Sequence, residues 1–151
     1  MEASRDQTQE KAQELAREQE ARIQLMEWRQ KMQTATVRLG EKLRFATGSS
    51  ELNPEAREEL RNLSSLMVQQ PNEKLRLKGF TDNRGPLDVN QALAQSRVDA
   101  VRSELINQGV PSDQIEIVAA GEVSPVATNT TAAGRAKNRR VEIEMLSPPS
   151  G

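Results

Sequence analysis

The chain contains no cysteine and no histidine. The first absence removes thiol nucleophiles, disulfide frameworks and thiolate metal sites. The second removes imidazole acid–base chemistry and Ser-His-Asp triads. Aromatic residues are limited to Trp28, Phe45 and Phe80, so any core is built from Leu, Ile, Val and Ala. No apolar run approaches the roughly 20 residues that span a bilayer. Met1 is not followed by a signal-peptide pattern, so an exported form would be mature or trimmed. Charge of one sign is also missing: 21 basic and 22 acidic side chains leave a net charge of −1. Non-specific nucleic-acid binding needs a positive surplus to displace counterions, so no nucleic-acid partner is expected. No catalytic group, metal site or cofactor site is expected from this residue set.

What is present divides into two styles. The length of 151 residues suits one domain with an appendage. Residues 1–36 lack Gly and Pro and are crowded with Glu, Gln, Arg, Lys and Ala, which favours a solvated helix of alternating charge. Ala21, Leu25, Trp28, Met32 and Ala35 step by four, three, four and three, the spacing of a heptad seam. The seam lasts only about two heptads. It fits a helix packing its C-terminal half on the domain, and equally a stalk that self-associates as a homodimer.

Residues 37–146 read as a domain and 147–151 as a flexible tail. Val37, Leu39, Leu43 and Phe45 suggest a strand. Asn53-Pro54 reads as a cap and first turn of a helix bearing Ala56, Leu60, Leu63 and Met67, stopped by Pro71-Asn72. Leu75–Phe80 alternates as a strand, and Thr81–Pro86 has turn chemistry. A long helix spans about Leu87–Asn107, with Gly109 past its end. Ile115–Ala120 is a strand, Gly121–Gly134 a loop, and Arg140–Leu146 a final strand with one wet face. Helices alternating with short strands imply an α+β fold, helices packed on one face of a mixed sheet.

Three segments carry candidate chemistry. Asp82 closes a strand and enters a loop, where it either bonds its own turn or faces a ligand. Asn90 and Arg97 lie two turns apart on one helix face, at the edge of the buried stripe. Arg97 is there either an ordinary solvated cation or one that buries its stem and presents a planar fork. In Asn138-Arg139-Arg140, a strand beginning at Arg139 puts that residue on the face of Val141, Ile143 and Met145. A charge at the rim of a buried face needs a partner such as Asp82. The same parity points Arg140 to water.

These segments resemble the OmpA-like C-terminal domain, found also in peptidoglycan-associated lipoproteins and flagellar stator B subunits. The resemblance runs from about Leu43 to Met145. It rests on Leu43-Arg44-Phe45, Ser50-Glu51-Leu52, Gly79-Phe80-Thr81-Asp82-Asn83-Arg84-Gly85, then Asn90, Leu93, Arg97 and Val101, and Asn129 through Val141. It implies a βαβαββ helix-on-sheet domain and non-catalytic binding of the diaminopimelate residue of the peptidoglycan stem. By the same resemblance Asp82, Arg97, Asn90, Arg139 and Thr81 contact the ligand, with Thr47, Gly48 and Ser49 offering backbone groups. It implies a periplasmic location at the cell wall, tethered to the outer or inner membrane by an anchor outside this chain. Two positions depart from the pattern. Phe80 stands where His is frequent, changing the wall of the site, and Ala46 where Asp is common. A structural subunit of an envelope complex is the alternative function. A wall hydrolase finds no second acid beside Asp82.

Overall fold

The computed structural model describes residues 2–121 and 127–146. The chain divides into two compact units, 1–32 and 33–151. The first is helical, and its helix α1 runs on through Glu2–Lys42. The strand expected over 37–45 is therefore absent. Nothing in this stretch stops a helix: it contains no Pro, and one Gly costs about 1 kcal/mol relative to Ala. Leu39 and Leu43 continue the helical spacing from Ala35, and all three are buried, whereas Val37 is 59% exposed. Extended pairing survives only at Arg44, which bridges Arg140. There Phe45 N donates to Arg139 O at 3.0 Å and Val141 N to Leu43 O at 3.2 Å. Of the seam, Trp28, Met32 and Ala35 are buried within the single chain, Leu25 is half-buried and Ala21 exposed.

Helix α2 spans Pro54–Met67, and Asn53 caps it by accepting from Ala56 N at 2.8 Å. Its Leu60, Leu63 and Met67 are fully buried, each worth roughly 1.5–3 kcal/mol. The helix ends at Met67, ahead of the Pro71-Asn72 stop. The sheet has three strands, β1 (Lys74–Phe80), β2 (Ile115–Gly121) and β3 (Val141–Leu146), in the order β2-β1-β3. β1 pairs with β2 in parallel and with β3 antiparallel, the mixed sheet expected. Helix α3 (Leu87–Asn107) connects β1 to β2 through a short 3-10 turn. It lays Ala94, Val98, Val101 and Leu105 against the core. Close approach of α3 to β1 depends on Gly79, where a Cβ would overlap the Ala94 carbonyl and Val98 Cγ2.

Two further differences follow from local capping. Thr131 accepts from Gly134 N at 3.0 Å and starts a helix, α4 (Ala132–Asn138), inside the stretch read as loop. β3 then begins at Val141, and Arg139 is the C-cap of α4 rather than a strand residue. Residues 122–126 of the expected loop and the 147–151 tail lie outside the described residues.

Candidate ligand-binding site

The C-terminal end of the central strand β1 delivers Thr81 and Asp82 into a turn, where both are buried. Asp82 Oδ1 accepts from Arg84 N at 3.0 Å, the local turn bond available to an Asp at this position. Its other oxygen, Oδ2, receives Arg139 Nη1 at 2.9 Å. One oxygen of Asp82 thus shapes the turn, as the first alternative has it, and the other pairs across the fold with Arg139. Gly85, with φ of 91°, lets the turn close onto α3. Asn90 Nδ2 approaches the Asp82 and Gly85 carbonyls, each at 3.5 Å.

Arg97 is fully buried. Its Nε donates to Ser49 O at 2.8 Å, Nη1 to Phe80 O at 3.2 Å and Nη2 to Ala46 O at 3.1 Å. Its guanidinium also lies 5.2 Å from the Phe45 ring centroid. Three of five N–H groups are spent on carbonyls, leaving one on each terminal nitrogen. No carboxylate among the described residues lies within ion-pair distance of it. Burial first, then the neighbouring Arg139 charge, pushes its pKa down to about 10, with Asp82 opposing. It therefore stays cationic at neutral pH, and it is not an ordinary solvated arginine.

Arg139 reaches the site from the end of α4, its Nε held by Phe45 O at 2.8 Å. The pairing with Asp82 stands as the sequence suggested, but strand parity is not its cause. Arg140 corrects the other half of that argument. It is buried, not turned to water, because its guanidinium stacks 4.0 Å from the Phe80 ring centroid and Nε pairs with Glu142 at 3.0 Å. Phe80 is consequently engaged by Arg140 and is not among the residues lining the cavity. Ala46 supplies a backbone carbonyl to Arg97, a role that needs no side chain.

Together these groups enclose a cavity of about 150 Å³, bordered by Thr47, Gly48, Thr81, Asp82, Arg84, Asn90, Leu93, Arg97 and Arg139. Every side chain singled out in the sequence converges on it, as do the Thr47-Gly48 backbone positions. Ser49 serves otherwise: its N–H bonds Ala46 O at 3.0 Å and its carbonyl holds Arg97. The buried Thr81 Oγ1 has no hydrogen-bond partner among the described residues, an arrangement that costs about 1–3 kcal/mol unless something fills it. A wider groove of about 390 Å³ runs along Thr36, Val37, Gly40 and β3. Its charged side chains are already paired, Lys78 with Glu144 and Glu142 with Arg140, so the smaller cavity is the better site.

Across the family-level comparison, residues 44–139 match the OmpA family. The chain belongs to the OmpA family. Among its relatives is the probable lipoprotein YiaD of Escherichia coli K12, 39% identical over 69% of this chain and 47% of that protein. The peptidoglycan-binding protein ArfA of Mycobacterium tuberculosis H37Rv is 36% identical over 69% of this chain and 32% of its own length. The chain thus spans about half, or less, of these two relatives. The crystal structure of the peptidoglycan-associated lipoprotein from Burkholderia pseudomallei superposes with a TM-score of 0.67. It shares 31% identity over 69% of this chain and 88% of that one. The C-terminal domain of Helicobacter pylori MotB gives a TM-score of 0.64 at 26% identity, covering 72% and 84% respectively.

Within this OmpA family domain, sequence reasoning missed the groups that hold the site together. Asn138, fully buried, exchanges hydrogen bonds with Ala127 N at 3.0 Å and O at 2.9 Å and donates to Asn129 Oδ1 at 2.8 Å. It ties down the loop before α4 and so places Arg139. The carbonyls of Phe45, Ala46, Ser49 and Phe80 carry no side-chain signal. The clustering of Asn129 and Asn138 around a Thr-Thr cap was the one available cue.

Proposed function

We propose that this chain binds bacterial peptidoglycan without catalysing a reaction, by gripping the amino-acid head of diaminopimelate in the stem peptide. The observation that carries the reading is Arg97: a buried cation at the cavity, with two spare N–H groups and no carboxylate partner among the described residues. A buried charge of this kind is costly unless paired. A ligand carboxylate bridging the two terminal nitrogens supplies the missing anion and a fixed orientation. The ammonium beside it then meets Asp82, whose oxygens retain unused lone pairs. The Thr81 hydroxyl and the Asn90 amide add neutral bonds, and Arg139 holds Asp82 in place. Asp82 is the cavity's one carboxylate among the described residues, so no acid–base pair for glycoside cleavage faces the ligand.

Charge-assisted bonds net about 1.5–3 kcal/mol each. Two or three, after association costs, give micromolar to millimolar affinity. Many sites on a polymeric wall raise the apparent affinity by avidity. The name of the relative ArfA, a peptidoglycan-binding protein, supports the wall as partner, and the likeness to the periplasmic domain of Helicobacter pylori MotB supports the periplasm as location. A tether to either membrane completes the reading. Sedimentation with purified sacculi is the test. Wild-type protein left in the supernatant overturns the proposal, as do Asp82→Ala and Arg97→Ala variants that pellet equally well.

A second reading, an assembly subunit whose N-terminal helix self-associates, is favoured by one observation. Leu15, Ile23 and Met26 lie on one side of α1 and are 53%, 50% and 70% exposed.

A further inference from the structure

The cavity of about 150 Å³ is smaller than a typical ligand pocket of about 300–1,000 Å³. It has room for the head of a ligand, and the remainder must run across the mouth. That mouth is not neutral. The charged side chains lining the cavity are Asp82, Arg84, Arg97 and Arg139, three cations against one anion. A zwitterionic head contributes no net charge, so a positive surplus remains when the cavity is filled.

Within this surplus Arg84 differs from the other two arginines. Arg97 is bound to carbonyls and Arg139 to Asp82, whereas Arg84 is exposed at the rim. Its side chain makes no ion pair among the described residues. Its backbone is nonetheless fixed, because Arg84 N holds Asp82 Oδ1 at 3.0 Å. The cation is thus carried on a hydrogen-bonded turn at the cavity, whose lining also includes the exposed Val89.

We infer that Arg84 is a specificity-determining residue that reads a second carboxylate of the ligand, on the part of the peptide lying outside the cavity. The inference rests on the proposed binding of a diaminopimelate head. The ligand class it selects is a stem peptide with a free carboxylate beyond that head, over one in which the carboxylate is amidated. In a stem, the glutamate joined through its side chain to diaminopimelate provides such a group. Amidation removes the charge with almost no change of shape.

The experiment is calorimetric titration of the whole chain with diaminopimelate and with two stem tripeptides, glutamate α-carboxyl free or amidated. Wild type is expected to prefer the free acid about threefold at low salt, within the roughly 1.4- to 5-fold that an exposed ion pair supplies. The preference shrinks in 0.5 M salt. In Arg84→Gln the ratio falls to about one, and Arg84→Lys restores part of it. The ratio is internal to each variant, so a general loss of stability does not mimic the result. A wild-type ratio near one, or a ratio preserved in Arg84→Gln, overturns the role of Arg84 while leaving head binding intact. Absence of diaminopimelate binding by wild type overturns both.

Discussion

Asp82 and Arg139, 57 positions apart in the chain, meet at 2.9 Å with side chains only 7% and 14% exposed. The pair closes the turn after β1 onto the end of α4, and Arg139 reaches on to the Phe45 carbonyl. Breaking it by Asp82→Ala leaves a largely buried guanidinium without its anion, which is expected to cost about 3 kcal/mol. Urea denaturation of Asp82→Ala, Arg139→Ala and the double variant measures the coupling. A coupling energy of at least about 1 kcal/mol is expected. A value near zero would show that the two side chains are neighbours without being partners.

Thr81 offers a sharper separation of stability from binding. Its Oγ1 is buried and has no partner among the described residues. Replacing the hydroxyl by a methyl in Thr81→Val removes an unpaid desolvation cost of about 1–3 kcal/mol. Thermal unfolding of the free protein should therefore be unchanged or raised. Sacculus pelleting should weaken if that hydroxyl meets the ligand. A variant less stable than wild type would mean that the hydroxyl is already satisfied in solution.

Gly79 places the two halves of the site side by side. A methyl there overlaps the Ala94 carbonyl, which is backbone and cannot rotate away. Gly79→Ala should push α3 from β1, costing about 1–3 kcal/mol by overpacking. Because Arg97 rides on α3 and Asp82 on β1, binding should fall by more than the loss of folded protein explains. Stability and pelleting measured on the same sample would show this. Unchanged pelleting would mean the helix–strand spacing is not what aligns the site.

The parts of this fold that were legible in sequence are those with strong local signals. Asn53-Pro54 announced α2, and the alternation of Leu75 and Leu77 announced β1. The turn residues around Asp82 and the run Leu87–Asn107 did the same for the site and α3. The failures share a cause. Thr36 to Phe45 satisfies both periods, because Leu39 and Leu43 are four apart and also of equal parity. Which period wins depends on what buries them, and Ala35, Leu39 and Leu43 are buried with α1 helical to Lys42. Strand parity points Arg140 to water, but the Phe80 ring gives its guanidinium a face to stack on. The carbonyl cradle of Arg97 could not be read at all, since any residue supplies a carbonyl.

The exposed apolar residues of α1 bear on the second reading, self-association. Trp28, Met32 and Ala35 of the heptad seam are buried. Leu15, Ile23 and Met26 are the alternative, exposed on one side of the same helix among Glu, Gln and Arg. If α1 self-associates, these three must lie in the contact, because hydrophobic burial is what would offset the entropy of association. Leu15→Gln, Ile23→Gln and Met26→Gln combined keep helix propensity while removing the apolar surface. Light scattering over a concentration series should then show wild type moving toward dimer, and the triple variant shifted at least tenfold higher in concentration, about 1.4 kcal/mol. A wild type that stays monomeric throughout removes self-association.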